Sequence, residues 1–411
     1  MEYGLIGERL GHSYSPQIHR VFGDYDYQLY PMPEEAVGEL LKKRRFKGLN
    51  VTIPYKKTVL PYCDEISPAV RAIGSANTLV NRNGKIFAEN TDLPGMLFML
   101  DKAGISLTGR KAVILGSGGT SLTAQAACRS RGARETVVVS RFGPITYEVL
   151  YRRHTDADII INATPVGMYP HTLISPVELD RFPQLKGAAD VIYNPAKTAL
   201  LLDAEKRGIP CVDGLWMLVS QAWYAAKLFL DTEIPQEKIQ EAFRAVRAEC
   251  LNLVLVGMPG SGKTTQGKML AQRMGRKFVD LDGEIIRRFG PIPEIFAQKG
   301  EAAFRDMESE ITAEFGKESG LVIATGGGAV LRESNVLSLR QNGVVAWLRR
   351  PAEGLATAGR PLSTGLERLR EMERERLPLY RACADFAVDI QENKEATCQR
   401  IMEGFNEAIG H

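Results

Sequence analysis

The chain contains few cysteines, and neither acidic nor basic residues are in large excess. Its six cysteines are scattered, with no C-x-x-C pair and no cluster with histidine, so neither a zinc site nor a disulfide framework is expected. Lys and Arg number 52 and Asp and Glu 49, which gives a net charge of +3. This charge is too small to indicate a nucleic-acid partner, and a charged ligand must be held by local clusters of side chains.

Long apolar segments are also missing from the sequence. The N-terminus has no basic stretch followed by an apolar one, so no signal peptide is predicted. The apolar runs, such as 251–256, have the length of a strand, far short of the ~20 residues that span a membrane. We therefore expect no membrane partner and a location in the cytoplasm.

The sequence does contain enough apolar residues for several folded domains. Its 411 residues are 44% hydrophobic and 25% charged, as in ordinary globular proteins. At about 150 residues per domain, two or three domains are predicted. Helical, charged sequence at 235–249 gives way to a new strand at 251–256, which places the major boundary near residue 248.

Hydrophobic periodicity predicts an alternation of strands and helices, which is typical of α/β folds. The predicted strands are 3–7, 48–53, 111–115, 136–139, 158–163, 189–193, 251–256 and 321–324. The predicted helices are 34–44, a segment ending at Arg131, and 235–249.

A phosphate-binding loop is predicted at 257–264, where the sequence fits G-x-x-x-x-G-K-[ST] between a strand and a helix. Backbone N–H groups of such a loop surround phosphate oxygens, and the following helix adds its positive end. Lys263 is expected to reach the β and γ phosphates of ATP, and the Thr264 hydroxyl to ligate Mg²⁺. The expected nucleotide-binding residues are Gly257, Gly260, Ser261, Gly262, Lys263, Thr264 and Thr265.

Acidic, basic and glycine-rich motifs after this loop favour an acceptor that carries hydroxyls and a negative charge. Asp280 and Asp282 alternate after an apolar stretch, so both carboxylates are expected on one face of a strand end. One of them can serve a metal ion and the other a hydroxyl. Arg305 can bind an anion, and the glycines at 326–328 allow close approach of a ligand. Each motif alone is more often a turn or a solvated charge.

Together these motifs resemble shikimate kinase over about 250–411. The resemblance implies that Arg305 and Arg376 face the shikimate carboxylate, and that Asp282 orients or deprotonates a hydroxyl. It also implies Asp280 near Mg²⁺, and Arg360 on a mobile lid that closes onto the transferring phosphate. The implied shikimate-binding residues are Asp282, Arg305, Gly327, Gly328 and Arg376.

The lid departs from the family pattern. In the family it is usually longer, with a further arginine that packs on adenine upstream of Arg-Pro-Leu. The stretch 355–359 before Arg360 contains no arginine. Either another residue covers the adenine or ATP binds more weakly.

A second glycine loop follows the strand predicted at 111–115. Gly116, Ser117, Gly118, Gly119 and Thr120 give a G-x-G-x-x pattern between a strand and a helix, which indicates a dinucleotide site. The next strand ends at Ser140-Arg141. An arginine at this point suits a 2′-phosphate, which favours NADP over NAD.

Four polar motifs occupy the N-terminal third, at 12–16, 50–56, 74–78 and 89–92. Their hydroxyls, amides, lysine and aspartate suit a polyol that carries a carboxylate. No metal cluster appears in the sequence, so a protonated side chain must polarise the electrophile. Lys56 can donate that proton and Asp92 can hold the lysine in place.

This set of motifs resembles shikimate dehydrogenase from residue 1 to about 240. Later pieces agree, at 161–164, 190–193 and 214–222. The resemblance implies reduction of 3-dehydroshikimate by NADPH, with Lys56 and Asp92 as the catalytic pair and Gly214 near the cofactor. The implied substrate contacts are Ser13, Ser15, Thr52, Lys56, Asn77, Asp92, Tyr193 and Gln221.

The two resemblances predict one chain that carries two consecutive reactions. We expect an α/β substrate lobe at 1–100, a Rossmann NADP-binding lobe at 101–248 and a P-loop kinase domain at 249–411. Three alternatives remain open: a non-catalytic nucleotide sensor, a quinate-type substrate, and an active dehydrogenase with a decayed kinase. The sequence does not indicate the oligomeric state.

Overall fold

Three β-sheets with flanking helices build the part of the chain that the structure describes. The structure is a computed structural model, and it describes residues 2–11, 13–351, 355 and 366–410. These residues divide into two compact units. Unit 1 is Met1–Met168, Ile174–Tyr193 and Leu200–Val246, and unit 2 is Tyr169–Leu173, Asn194–Ala199 and Arg247–His411.

The first sheet of unit 1 has six strands in the order β2-β1-β3-β5-β6-β4. They are β1 (Tyr3–Gly7), β2 (Tyr27–Pro31), β3 (Gly48–Val51), β4 (Glu65–Ile66), β5 (Thr78–Arg82) and β6 (Lys85–Glu89). Its helices are α1 (Ser15–Phe22), α2 (Glu34–Lys43), α3 (Pro68–Ile73) and α4 (Asp92–Lys102), with a 3₁₀ turn at Leu60–Tyr62. Strands β1 to β3 are parallel, whereas β5 runs antiparallel to both β3 and β6. The carboxyl ends of β1, β3 and β6 therefore share one edge with the amino end of β5.

The second sheet of unit 1 is fully parallel, in the order β11-β10-β9-β7-β8. Its strands are β7 (Lys111–Leu115), β8 (Glu135–Val139), β9 (Ile159–Asn162), β10 (Gly187–Asp190) and β11 (Cys211–Val212). The helices here are α5 (Gly119–Ser130), α6 (Tyr147–Arg153), α7 (Ala199–Lys206), α8 (Leu215–Leu230) and α9 (Glu237–Cys250), with a 3₁₀ turn at Leu179–Arg181. Because β8 and β9 flank β7 on opposite sides, the strand order reverses at the carboxyl end of β7. Ligands bind at such a reversal in open α/β sheets.

Unit 2 contains the third sheet, which is parallel in the order β13-β14-β12-β15-β16. Its strands are β12 (Asn252–Val256), β13 (Lys277–Asp280), β14 (Leu321–Ala324), β15 (Gly343–Arg349) and β16 (Phe386–Asp389). The helices are α10 (Lys263–Met274), α11 (Leu281–Phe289), α12 (Ile292–Gly316), α13 (Glu333–Arg340), α14 (Leu366–Cys383) and α15 (Lys394–Ala408), with a 3₁₀ turn at Ala329–Leu331. Gly300, at φ 79°, kinks α12.

Alternating side chains of the third sheet fill two separate hydrophobic clusters. Val254 and Val256 of β12 belong to one cluster, and Leu253 and Leu255 belong to the other. This is the period-two alternation of a strand that is covered on both faces. Among the described helices, none combines the length and apolar character needed to cross a lipid bilayer.

The predicted α/β fold class is confirmed, and most predicted strands are found within two residues of their predicted ends. The strand predicted at 189–193 is present, but its predicted end is wrong, because β10 spans Gly187–Asp190. The Asp190 carboxylate accepts a hydrogen bond from the Ile192 backbone N–H at 3.0 Å. Such a side-chain bond two residues ahead turns the chain out of the sheet.

Candidate active sites

Unit 1 contains a cavity of about 500 Å³ at the shared edge of its first sheet. All eight substrate contacts predicted from the sequence line this cavity, and so do the predicted cofactor residues Thr120 and Gly214. The wall also includes residues that sequence reasoning did not assign: Leu5, Arg9, Leu10, Gly11, Asn50, Val51, Val191, Met217 and Leu218.

An ion pair between Lys56 and Asp92 lies in the cavity wall. Lys56 follows β3 in a turn, and Asp92 is the first residue of α4. The Lys56 Nζ atom lies 2.5 Å from Asp92 Oδ2, and the two side chains are 28% and 14% exposed. The pairing holds one ammonium group in a fixed position while leaving it open to the cavity.

Asn77 connects this pair to the rest of the wall. Its buried side-chain amide donates to Asp92 Oδ1 and Thr91 Oγ1, both at 2.9 Å, and to Gln221 Oε1 at 3.3 Å. The Asn77 Oδ1 atom accepts from the Thr91 backbone N–H at 2.7 Å. Both ends of the amide are therefore engaged, which fixes the Asp92 carboxylate against Lys56.

Hydroxyl groups line the cavity next to β1. Ser15 opens α1, and its Oγ accepts a hydrogen bond from Ser13 Oγ at 3.1 Å. The rings of Tyr14 and Tyr193 meet edge to face with centroids 6.1 Å apart. These hydroxyls can donate hydrogen bonds to an anionic substrate.

A buried polar layer, which includes Asn50 and Thr78 of the motifs at 50–56 and 74–78, extends inward from this wall. The Tyr27 hydroxyl donates to Asn50 Oδ1 at 2.7 Å, and Asn50 Nδ2 donates to Thr78 Oγ1 at 3.1 Å. His19 stacks on the Tyr27 ring at 3.8 Å, and burial lowers the pKa of His19 to about 3. His19 is therefore neutral and packs as part of the core. The sequence signal that could have identified Asn50 as a site residue is its position near a strand end, two residues before Thr52.

The loop after β7 has the shape of a phosphate cradle. Gly116 has φ +105°, and a Cβ there would lie 3.0 Å from the Ala163 carbonyl oxygen, so a side chain does not fit. Gly118 caps α5, whose first residue is Gly119. A Cβ at either position would meet nothing within 4 Å, so backbone N–H groups at the helix start are accessible to an anion. The loop therefore fits a dinucleotide pyrophosphate, with Ser117 between the two glycines.

Arg141 lies two residues beyond β8, next to this loop. Strands β7 and β8 pair with Leu115 opposite Val139, so both chains leave the sheet side by side. The Arg141 side chain is exposed, with its guanidinium 5.6 Å from the Phe142 ring centroid. The placement fits a partner for a 2′-phosphate.

Gly214 lies where α8 meets the chain that follows β10. A Cβ at Gly214 would lie 2.0 Å from the Val191 carbonyl oxygen, so only glycine allows this approach. This close contact places the start of α8 next to the segment that contains Tyr193. Gln221 lies on the same helix.

A second cavity, of about 590 Å³, lies in unit 2 at the carboxyl ends of β12, β13 and β14. The sequence-predicted residues that line it are Gly260, Gly262, Lys263, Thr264, Thr265, Asp280, Asp282, Arg305, Gly327, Gly328 and Arg376. Gly257 and Ser261 lie behind the wall, where Ser261 is fully buried and a Cβ at Gly257 would meet the Leu348 carbonyl oxygen at 2.5 Å. The predicted lid residue Arg360 lies outside the described residues.

The loop at 257–264 wraps around its own lysine. Lys263 Nζ donates to the carbonyl oxygens of Gly257 at 2.7 Å and Met258 at 3.0 Å. The Thr264 hydroxyl donates to Asp280 Oδ2 at 2.7 Å. A hydroxyl and a carboxylate oxygen are ligands that Mg²⁺ accepts. Across the described residues, no group of three or more His, Cys, Asp or Glu could hold a metal ion, so phosphate oxygens would complete the ligand set.

The prediction that Asp280 and Asp282 share one face of a strand is wrong. Strand β13 ends at Asp280, whose side chain accepts from the Gly283 N–H at 3.4 Å and so caps α11. Asp282 lies in the first turn of that helix. Both carboxylates still line the cavity, but a helix start separates them.

Arg305, Arg376 and Glu308 form the floor of the second cavity. Arg305 pairs with the buried Glu308 at 2.8 Å, and Arg376 donates to the Gly327 carbonyl oxygen at 3.1 Å. A Cβ at Gly328 would lie 2.3 Å from Arg305 Nη1, so glycine gives the guanidinium its space. Burial raises the pKa of Glu308, although Arg305 opposes the shift. Sequence reasoning missed Glu308, which stands one helical turn after Arg305.

Relatives of known activity cover the N-terminal part of the chain. A shikimate dehydrogenase (NADP(+)) of Clostridium perfringens is 34% identical over 269 residues, which span 60% of this chain and 98% of the relative. The chain belongs to the shikimate dehydrogenase family. Residues 5–79 also match the family model for the shikimate dehydrogenase substrate binding domain.

Two solved structures show the same relationship. A chorismate mutase/shikimate 5-dehydrogenase fusion protein from Clostridium acetobutylicum is 37% identical with a TM-score of 0.57, over 59% of this chain and 96% of that chain. A shikimate 5-dehydrogenase from Thermus thermophilus, solved with NADP(H) and shikimate, is 31% identical with a TM-score of 0.54, over 60% and 99%.

The C-terminal part matches a different family model, described as shikimate kinase, over residues 259–406. The chain therefore joins a shikimate dehydrogenase to a shikimate kinase domain, which confirms the recognition made from the motifs. It is a bifunctional enzyme with an oxidoreductase and a kinase activity.

Proposed function

We propose that the cavity of unit 1 reduces 3-dehydroshikimate with NADPH and that the cavity of unit 2 phosphorylates shikimate with ATP and Mg²⁺. The observation that carries the first half is the Lys56–Asp92 ion pair in the cavity wall. It provides one positioned proton donor at a site where nothing else among the described lining residues combines a positive charge with a fixed carboxylate partner. We also propose that both reactions take place in the cytoplasm.

In the dehydrogenase site, Lys56 Nζ donates its proton to the substrate carbonyl oxygen as that oxygen gains charge. The glycine loop and Arg141 would hold NADPH, which would supply the hydride to the carbonyl carbon when bound. Asp92 keeps the ammonium group in place, and Asn77 keeps Asp92 in place. The proposed contacts to the substrate carboxylate and hydroxyls are Ser13, Ser15, Thr52, Tyr193 and Gln221.

In the kinase site, Asp282 orients or deprotonates the attacking hydroxyl of shikimate, while Arg305 and Arg376 face its carboxylate. Gly327 and Gly328 let the acceptor approach the backbone. Thr264 and Asp280 would hold Mg²⁺, which would neutralise phosphate charge when bound. Lys263, now bonded to carbonyls of its own loop, stabilises the charge that develops during transfer. Arg360 is proposed to contact the transferring phosphate.

Two assays on the purified full chain test this function: NADPH loss with 3-dehydroshikimate, and ADP formation with shikimate and ATP. We expect both activities in one preparation. A non-catalytic sensor would give neither, and a decayed kinase would give NADPH oxidation alone. The reverse reaction with NADP⁺ and quinate, run beside shikimate, separates a quinate-type substrate from the proposed one.

A further inference from the structure

We infer that Arg350 binds the phosphates of the nucleotide in the kinase site from the side opposite the acceptor. This inference rests on the proposed ATP-dependent function of that site. Arg350 follows directly after β15, outside the sequence motifs that predicted the site. It lines the 590 Å³ cavity together with the loop residues Gly260, Lys263 and Thr264.

The strand order places Arg350 on the nucleotide side of the phosphate loop. The proposed acceptor residues Asp282, Gly327 and Gly328 follow β13 and β14, which lie on one side of β12. Arg350 follows β15, which pairs with β12 on its other side, with Val256 opposite Trp347. In phosphoryl transfer the attacking and leaving oxygens lie roughly in line, on opposite sides of the transferred phosphorus. The leaving nucleotide therefore extends toward β15.

The other cations that line this cavity already have partners. Arg305 pairs with Glu308 and Glu301, Arg376 donates to Gly327, and Lys263 donates to Gly257 and Met258. For Arg350, the described residues provide no hydrogen bond or ion pair. Its guanidinium is exposed at the cavity, and no described residue occupies its N–H donors, so it can bind a phosphate with two parallel hydrogen bonds.

Arg349 provides a matched control, because it carries the same side chain one position earlier. Its guanidinium is held by Asp389 at 2.7 Å, on the neighbouring strand β16. Replacing Arg349 removes the same charge from the same strand end without removing a group from the wall of the 590 Å³ cavity.

The test compares Arg350→Ala and Arg349→Ala in the full chain with the wild type. For Arg350→Ala we expect the dissociation constant for Mg·ADP, measured by titration calorimetry, to rise about tenfold. The KM for ATP should rise by a similar factor. This effect is at the low end of the range for losing a hydrogen bond to a charged group, because the Arg350 side chain is exposed. The KM for shikimate and the dehydrogenase activity should stay unchanged. Arg349→Ala should change nucleotide binding by less than about twofold, since its partner lies outside the cavity.

Unchanged ADP binding in Arg350→Ala overturns the inference, and so does an equal loss in Arg349→Ala. If the wild type binds ADP but phosphorylates no shikimate, the proposed kinase function fails. In that case the ADP titrations of the two variants still decide the role of Arg350.

Discussion

Lys56 and Asp92 stand 36 positions apart in the sequence, yet their side chains meet at 2.5 Å. Strand β3 delivers the lysine, and the loop after β6 delivers the aspartate to the same sheet edge. Asn77, just before β5, reaches that edge because β5 runs antiparallel to both strands. Strand direction therefore sets the position of the proposed proton donor, Lys56, and its contact with Asp92 fixes its side chain.

Replacing Lys56 should act on the chemical step. In Lys56→Ala we expect kcat for 3-dehydroshikimate reduction to fall on the order of 10²-fold or more, as for loss of a general acid. The KM should change far less, because the proton is transferred only as the transition state forms. Steady-state kinetics with NADPH measure both constants. Kinase activity of the same preparation is the internal control, and a wild-type kcat would remove Lys56 from the mechanism.

Arg141 should decide between the two nicotinamide cofactors. We expect Arg141→Ala to raise the KM for NADPH about tenfold, since a charged hydrogen bond to the 2′-phosphate is lost. Use of NADH should stay nearly unchanged, because NADH lacks that phosphate. The ratio of kcat/KM for the two cofactors is the measurement, with Arg129→Ala, at the far end of α5, as a surface control. A wild type that already prefers NADH would show that this strand end does not read the phosphate.

At the scale of elements, the two ends of the strands in the second sheet of unit 1 differ in function. The carboxyl ends carry the glycine loop, whereas the amino ends carry a buried carboxylate, Asp158. Asp158 accepts from the Lys111 backbone N–H at 2.9 Å and from Lys186 Nζ at 2.8 Å. Burial alone would raise the pKa of Asp158, but these bonds outweigh burial and hold the pKa below its ordinary value. Asp158 thus ties β7 to β9 at the edge away from the site.

Asp158→Asn should therefore destabilise unit 1 in a pH-dependent way. We expect a loss of about 1–3 kcal/mol in the free energy of unfolding at pH 7, as for a buried hydrogen-bonded group that loses its charge. Because the folded pKa is lowered, the wild-type advantage is complete above the unfolded pKa of about 3.9 and disappears as the pH falls through the folded value.

Urea denaturation followed by circular dichroism, at pH 7 and at successively lower pH, measures this difference. Asp101→Asn is the matched control, since Asp101 forms an exposed ion pair with Arg131 and should change stability by less than about 1 kcal/mol. A wild-type advantage for Asp158 that does not shrink as the pH falls would contradict the proposed charge effect.

At the scale of the whole molecule, the division into units does not follow the sequence order. Unit 2 includes Tyr169–Leu173 and Asn194–Ala199, which precede the boundary expected near residue 248. Within unit 2, Ala196 is buried in the same cluster as Leu253, and the Lys197 N–H donates to the Gln341 carbonyl oxygen at 2.8 Å. A short piece of the N-terminal sequence is thus part of the core around the third sheet.

Cutting the chain near residue 248 tests how far the two activities are independent. We expect two soluble fragments, with dehydrogenase activity in 1–248 and kinase activity in 249–411, because each contains its own sheet and glycine loop. The kinase fragment should melt at a lower temperature than unit 2 of the full chain, since it lacks Ala196 and its neighbours. Thermal denaturation and the two assays provide the measurements. Insolubility of both fragments would show that they share one core.

The sequence by itself determined the elements whose patterns are local. Strands β1, β7 and β14 match their predicted bounds, because a short apolar run between turn residues is unlike a helix period. The phosphate-binding loop at 257–264 could also be predicted from the sequence. Its glycines, lysine and threonine occur at a fixed spacing within one short segment. The ends of β10 and β13 could not be predicted from the sequence, because hydrogen bonds to the side chains of Asp190 and Asp280 determine where each strand stops.

Only the tertiary structure revealed the site residues that lie outside the sequence motifs. Glu308 and Arg350 lie outside the motifs, and their neighbours in the cavity wall come from strands and helices distant in sequence. The order and direction of the strands bring such residues together at the strand ends of their sheet. That order depends on how both faces of the sheet are packed. The periodicity of a single segment indicates which of its faces is buried, but not which strand or helix packs against that face. Side-chain contacts between strands therefore could not be predicted from it.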